Sequence, residues 1–145
     1  EGQKSTPLEM GLDWAVQLDK PGYFVGRRAL EKEKREGSAW KLVGFEVDWE
    51  KMEPLFARVG LPPQIPGMAV RESLPMMQGD RQVGYASTST WSPVLKKYIA
   101  LVHLQRPYYE PGTALTMEVT VEHKRLQAPG KVVKLPFYEP EWKKK

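Results

Sequence analysis

Few residues of this chain could perform acid–base or metal chemistry. The sequence contains two histidines, His103 and His123, and no cysteine, which excludes disulfide bonds, thiolate metal sites and cysteine nucleophiles. His103 could act as a ligand or a base, but no second histidine or carboxylate stands at metal-ligand spacing from it. It shares a predicted strand face with Ile99 and Leu101, whereas His123 follows an alternating segment at a predicted turn. We therefore interpret His103 as structural and His123 as solvated, and assign no catalytic residue and no metal ligand.

A cluster of hydroxyl side chains is the second candidate. It comprises Ser87, Thr88, Ser89, Thr90 and Ser92. Such a cluster could cradle an anion together with turn amides, but it is more often a loop that satisfies its own backbone, and we favour the loop. The glycine that a nucleophile elbow needs after its serine is missing, and neither a dinucleotide-binding nor a phosphate-binding glycine motif is present.

The five tryptophans could stack on a flat cofactor. Trp142 is distinctive because it lies in a polar carboxyl-terminal tail. For Trp14, Trp40, Trp49 and Trp91 we predict packing in the core or at a seam between elements.

Length and charge bound the class of protein. At 145 residues the chain is expected to form about one domain, and its apolar content of 41% is that of a globular protein. The net charge is +4, but Lys143, Lys144 and Lys145 supply three of those charges, so the body is near neutral and a nucleic-acid-binding face is not indicated. No apolar run approaches the roughly 20 residues of a membrane span, and no secretory signal is visible. These observations predict a cytoplasmic protein without nucleic-acid or membrane partners.

The first 36 residues must form short elements. Thr6-Pro7-Leu8-Glu9 has the form of a capping box, which opens one helical turn that Gly11 ends. The alternation of apolar and polar residues from Trp14 to Leu18 predicts a short strand. A solvated helix is predicted from Arg27 to Glu36, ended by Gly37.

Strand patterns follow Gly37. Val43, Phe45 and Val47 alternate, as a half-buried strand requires, and a proline-rich stretch from Glu53 to Pro75 predicts a long loop or an edge wrapping. A further strand opens at Val83 and Tyr85.

The remaining strands lie beyond Pro93, which is predicted to break the Ser/Thr-rich segment. Tyr98–Leu104 is almost continuously apolar, which predicts burial on both faces, and Leu115–Val121 alternates cleanly. Pro129-Gly130 predicts a turn, and the last strand is predicted to carry Val133, Leu135 and Phe137 on one face. Many short strands with turn signals between them predict an antiparallel barrel or sandwich.

An ordered set of short motifs resembles the carboxyl-terminal third of the glycine-cleavage T-protein family, which comprises aminomethyltransferases and related tetrahydrofolate-dependent demethylases. The motifs span nearly the whole chain. They are Thr6-Pro7-Leu8-Glu9, Gly11-Leu12, Trp14-Ala15-Val16, Leu18-Asp19-Lys20, Phe24-Val25-Gly26-Arg27, Ala29-Leu30, Lys41-Leu42-Val43-Gly44, Val83-Gly84, Ser92-Pro93, Lys96-Lys97, Ile99-Ala100-Leu101, Pro111-Gly112-Thr113, Val132-Val133 and Pro136-Phe137.

The resemblance implies a mainly β fold, a closed Greek-key antiparallel barrel preceded by a short α/β segment. It implies that residues 1–36 are the tail of a folate-binding domain, residues 37–138 the barrel domain, and residues 139–145 a basic tail. In the family, the folate pocket and the catalytic aspartate lie upstream, in sequence that this chain does not contain. The missing amino-terminal folate-binding part is therefore an implied partner, and a lipoyl carrier protein is a further candidate.

The function implied by the resemblance is transfer of a one-carbon unit to tetrahydrofolate in the parent enzyme, with no cofactor bound tightly by these residues alone. Some members place an aromatic or basic residue near the folate tail after the closing Pro-Phe, and Trp142, with Tyr138 nearby, occupies that place here. Two alternatives stay open. The parent could be an O-, N- or S-demethylase, as the long proline-rich stretch suggests, or the chain could be a non-catalytic interaction module.

Overall fold

The computed structural model describes residues 4–64 and 66–144. Its six strands are β1 (Trp40–Val47), β2 (Leu74–Gln78), β3 (Arg81–Ser92), β4 (Lys97–Gln105), β5 (Ala114–Val121) and β6 (Lys124–Val133). They form a closed antiparallel barrel in the order β1-β4-β3-β2-β5-β6. The order is that of a Greek key, because β2, β3 and β4 form a meander and β1 lies beside β4. The predicted mainly β barrel is therefore confirmed.

Two α-helices and two short 3₁₀ helices accompany the barrel. Helix α1 spans Arg27–Glu36 and helix α2 spans Trp49–Ala57, while the 3₁₀ helices span Asp13–Ala15 and Glu141–Lys144. The core lies inside the barrel, where alternate residues of every strand point inward, and α2 adds Met52 and Phe56 to it. Helix α2 therefore closes part of the barrel interior.

The amino-terminal segment follows the prediction in part. Thr6 and Glu9 form a capping box, in which the Thr6 N–H donates to Glu9 Oε2 (3.0 Å) and the Glu9 N–H donates to Thr6 Oγ1 (3.1 Å). Helix α1 has the predicted bounds, and its last turn closes where the Gly37 N–H donates to the Glu33 carbonyl (2.7 Å). The predicted strand from Trp14 to Leu18 is wrong. Its backbone bonds locally in the 3₁₀ helix instead of to a neighbouring strand.

The prediction of one long loop from Glu53 to Pro75 is also wrong at both ends. Helix α2 continues through Pro54, and β2 includes Pro75. An interior proline costs a helix about 3 kcal/mol, but burial of Met52 and Phe56 contributes roughly 1.5–3 kcal/mol each and offsets that cost. Strand β2 pairs with β5 only through Met76 and Met77, so Pro75 stands where β2 has a single neighbour.

Two strands differ from their predicted burial or length. Strand β4 alternates between buried and half-exposed positions, so burial of Tyr98–Leu104 on both faces is wrong. The outward side chains from Ile99 to Gln105 are half-buried. Strand β3 continues through the Ser/Thr-rich segment to Ser92 and carries a bulge between Ala86 and Thr88, so the loop predicted there is wrong as well.

Strand β5 has the clean alternation predicted for it, but the elements after it differ. Pro129 and Gly130 lie inside β6, paired with Thr116 and Leu115, so the turn predicted there is wrong. The turn predicted at His123 is confirmed, and φ is positive at Glu122 and His123 (45° and 64°). Strand β6 ends at Val133, so a strand extending to Phe137 is wrong. The Phe137 ring instead covers the outer side of Gly44, where a Cβ atom would lie 2.7 Å from Phe137 Cε1.

Candidate functional site

A cleft of about 700 Å³ lies at one end of the barrel, and we call it the lysine cleft. It forms where the end of β1 and the start of α2 meet the ends of β2, β4, β5 and β6. Its apolar lining includes Val47, Trp49, Met77, Leu115 and Pro129. Four lysines stand around this lining. They are Lys51, Lys96, Lys97 and Lys131.

The charges of the lysine cleft fall into two groups. On the sheet side, Glu46 Oε2 accepts from Lys97 Nζ at 2.7 Å and lies 3.9 Å from Lys131 Nζ. On the helix side, Asp48 pairs with Lys51 at 2.9 Å, and this side-chain hydrogen bond lowers the pKa of Asp48 and raises the pKa of Lys51. The cleft was missed by the sequence reasoning because its lysines are spread over 81 positions, from residue 51 to residue 131, and only barrel closure brings them together.

The histidines take the roles that the sequence indicated. His103 is half-buried on the outer face of β4 and stacks on Tyr85, with ring centroids 5.0 Å apart and planes 16° apart. Burial lowers the pKa of His103, and the negative charge of Glu9 opposes that shift. His123 is exposed at its turn. Within residues 4–64 and 66–144, no three histidine, aspartate or glutamate side chains are grouped as metal ligands.

The hydroxyl cluster is used by the sheet itself. Ser87 Oγ donates to the Leu101 carbonyl (3.3 Å), and Ser92 Oγ accepts from the Leu95 N–H (3.3 Å). Ser89 Oγ hydrogen-bonds the Tyr98 hydroxyl at 3.0 Å inside the core. Ser87 and Ser89 therefore bond to the neighbouring strand β4 and only Ser92 bonds to its own turn, so the predicted loop that satisfies its own backbone is wrong.

A strip of exposed apolar side chains precedes the barrel, and we call it the amino-terminal strip. It comprises Leu12, Trp14, Tyr23, Phe24 and Val25, of which Trp14 is 81% and Val25 95% exposed. The prediction that Trp14 packs in the core or at a seam is therefore wrong, whereas Trp40, Trp49 and Trp91 are half-buried. These five exposed side chains all lie between residues 12 and 25, ahead of helix α1.

The amino-terminal strip is attached to the barrel by polar bonds on either side of it. The Leu42 N–H of β1 donates to the Glu9 carbonyl (2.7 Å). The Glu33 carboxylate of α1 accepts from Thr6 Oγ1 (2.8 Å) and from Ser38 Oγ (2.6 Å). The strip is thus presented by an anchored backbone while its apolar side chains face outward.

Tyr138 and Trp142, the residues predicted near a folate tail, are both exposed after the barrel, at 57% and 72%. Trp142 lies in the 3₁₀ helix Glu141–Lys144, and Lys143 Nζ stands 5.7 Å from the centroid of its indole ring. No ring contact joins Tyr138 to Trp142 in the described part of the chain. Lys145, the last residue of the predicted basic tail, lies outside the described residues.

Comparison with known proteins gives one consistent result. Residues 41–139 match the family described as the glycine cleavage T-protein C-terminal barrel domain. The chain is 37% identical over 134 residues to an aminomethyltransferase of Bacillus pumilus and 35% identical to one of Prochlorococcus marinus. Each alignment covers 92% of this chain but only 31% and 30% of those relatives, so the chain spans about a third of their length.

A solved structure shows the same fold. The glycine cleavage system aminomethyltransferase T of Bartonella henselae superposes with a TM-score of 0.65 at 18% identity, over 92% of this chain and 32% of that one.

None of the helices within residues 4–64 and 66–144 is long and apolar enough to cross a membrane.

Proposed function

Because this chain belongs to the family of the glycine cleavage T-protein C-terminal barrel domain, we propose that it is the barrel part of an aminomethyltransferase that delivers a one-carbon unit to tetrahydrofolate. The observation that carries the proposal is the match over 92% of the chain to relatives named aminomethyltransferase. The donor would be an aminomethyl group presented on a lipoyl carrier protein, the second partner that we propose.

We assign the barrel a supporting role in that reaction. A transfer between two bound molecules gains most from their positioning, with a carboxylate assisting proton transfer, and we place both the pocket and that carboxylate in the part upstream of this chain. The amino-terminal strip supports this division. Its apolar side chains are open in this chain, and the relatives contain about twice as much additional polypeptide that can cover them.

A chimera tests the supporting role. The segment of the Bacillus pumilus aminomethyltransferase that aligns with this chain is replaced by this chain, and transfer of the aminomethyl group to tetrahydrofolate is measured. We expect the chimera to be active. We also expect Val25→Asp in the chimera to reduce activity and the thermal midpoint, because it places a charge in the proposed interface. The matched control is Met68→Asp, which charges a side chain that is 82% exposed outside the strip.

Three results would contradict this proposal. A folded chimera without activity would show that the barrel does not support the reaction. Equal effects of the two aspartate substitutions would show that the strip is not an interface. Transfer from an O-, N- or S-methyl donor, with no transfer from the carrier-bound aminomethyl group, would make the parent a demethylase.

We further propose that Trp142, with Tyr138 beside it in sequence, contacts the folate tail in the parent enzyme. Both aromatic side chains are exposed, so either ring can stack on a ligand, and no core packing would be lost. We expect Trp142→Ala in the chimera to raise the tetrahydrofolate Kd several-fold, and Trp142→Phe to restore most of the affinity because it keeps an aromatic ring. Isothermal titration measures both, and an unchanged Kd for the alanine variant would leave Trp142 without this role.

A further inference from the structure

We propose that the lysine cleft is a binding site for a small organic anion with an apolar body and a single carboxylate. Nothing in the transferase function proposed above uses this cleft, and the inference stands whether or not the parent enzyme transfers a one-carbon unit. Its volume of about 700 Å³ falls within the range of roughly 300–1,000 Å³ typical of small-molecule sites.

The lining of the cleft fits the apolar body of such a ligand. Met77 and Pro129 supply most of the aliphatic surface, because Val47 and Leu115 are only 5% and 3% exposed. Trp49 supplies a half-buried aromatic surface. The Trp49 ring packs edge-on against Trp91, with centroids 5.1 Å apart and planes at 64°, so its position is supported from behind. A mostly apolar lining with a few polar groups is the usual composition of a ligand site.

The charges decide the sign and number of the ligand's charged groups. Three ammonium groups, of Lys96, Lys97 and Lys131, stand on the sheet side against one carboxylate, that of Glu46. Lys97 takes the short bond to Glu46, Lys131 stands at 3.9 Å from the same oxygen, and Lys96 makes no ion pair with any described residue. This side therefore has an excess of two positive charges, which favours an anionic group here, and the excess over the whole cleft falls to one once Lys51, Asp48 and Glu50 are counted.

The helix side of the cleft disfavours a second anionic group. Lys51 is already paired with Asp48 at 2.9 Å, and the exposed Glu50 adds a second negative charge beside the same lysine. A dianionic ligand spanning the cleft would therefore meet repulsion at its far end. The combination of one cationic end, an apolar middle and one acidic end defines the proposed ligand class.

The cleft is also preorganised, because its walls are paired strands. Lys131 pairs with both Glu46 of β1 and Ala114 of β5, and Gly130 pairs with Leu115. The backbone of such a frame needs little ordering when a ligand binds, so the entropic cost falls mainly on the exposed lysine side chains.

The test uses 2-naphthoate as the probe and the 145-residue chain as the protein. Two-dimensional amide NMR locates binding, and the indole N–H of Trp49 reports on the cleft. We expect 2-naphthoate to shift cleft amides, its neutral analogue 2-naphthalenemethanol to bind at least about fivefold more weakly, and high salt to weaken the acid alone. We expect Lys96→Gln/Lys131→Gln to weaken naphthoate binding by a similar factor.

Two further variants sharpen the result. Lys34→Gln/Lys124→Gln removes the same charge from exposed lysines outside the cleft and is expected to leave the Kd unchanged. Ala114→Trp fills the cleft from an exposed position without altering the core, and is expected to abolish the shifts while keeping the thermal midpoint. The proposal is overturned if the probe shifts only the amino-terminal strip, if the neutral analogue binds equally well, or if both lysine pairs weaken binding alike.

Discussion

The hydrogen bond between Ser89 and Tyr98 makes a strong prediction about how the Ser/Thr-rich strand is stabilised. Both residues are buried, with relative exposures of 2% and 6%, and their oxygen atoms are 3.0 Å apart. Ser89→Ala would leave the Tyr98 hydroxyl in the core without a partner. An orphaned buried hydroxyl costs about 1–3 kcal/mol, so we expect the free energy of unfolding to fall by that amount.

The matching variants complete a thermodynamic cycle. Tyr98→Phe removes only the hydroxyl oxygen and orphans Ser89, so we expect a loss of similar size. The double variant removes both partners, so its loss in free energy of unfolding is expected to be about 1–2 kcal/mol smaller than the sum of the losses of the two single variants. Urea unfolding followed by tryptophan fluorescence measures all four proteins. Ser87→Ala, which removes a half-buried hydroxyl with a longer bond, serves as the control and is expected to cost less than about 1 kcal/mol.

Additive losses in the cycle would refute this reasoning. They would mean that each hydroxyl has another partner and that the direct bond contributes nothing specific. A single variant as stable as the unchanged protein would refute it equally, because the burial of an orphaned hydroxyl would then carry no penalty.

Two other predictions concern pH and backbone packing. Burial lowers the pKa of His103, so the unfolded chain takes up the proton first as the pH falls, and the stability of the protein decreases below about pH 6.5. Urea midpoints measured over this pH range should depend less on pH in His103→Gln, but not in His123→Gln. A Cβ atom on Gly130 would meet the Glu46 carbonyl oxygen and lie 2.6 Å from the Phe45 ring. We therefore expect Gly130→Ala to lower the free energy of unfolding by about 3 kcal/mol or more in thermal unfolding. The control Gly67→Ala places its Cβ atom within 4 Å of no other group and should not lower it.

The elements that could be predicted from the sequence are those whose signals are local. The capping box at Thr6, the end of α1 at Gly37 and the alternation of β5 each depend on residues a few positions apart, and each appears in the structure. Alternation along β1 likewise identified Val43, Phe45 and Val47 as core residues. Side-chain period and caps are properties of a short segment, so no knowledge of distant neighbours is needed.

The errors arose where a distant neighbour decides the meaning of a local signal. Pro129-Gly130 has the local signature of a turn, but both residues lie within β6. A glycine is needed at position 130 because a Cβ atom there would meet the Glu46 carbonyl oxygen of β1. Pro54 and Pro75 are typical of loops by their local signal alone. Helix α2 tolerates Pro54 because its Met52 and Phe56 are buried, and Pro75 fits in β2 because the strand has a single neighbour there. The lysine cleft could not be predicted for the same reason, since its charged residues come from helix α2, from the turn before β4 and from different strands.

The segment from Trp14 to Leu18 shows why a local pattern can be informative even when its structural prediction fails. The alternation of the segment predicts a strand with one face buried in this chain, yet Trp14 is 81% exposed. Large apolar side chains repeated over Leu12, Trp14, Tyr23, Phe24 and Val25 are costly to leave in water, at roughly 25 cal/mol per Å². The pattern therefore still indicates burial, and the longer polypeptide of the relatives is the surface that we propose covers it. If Val25→Asp leaves the chimera unchanged, the pattern indicates nothing beyond composition.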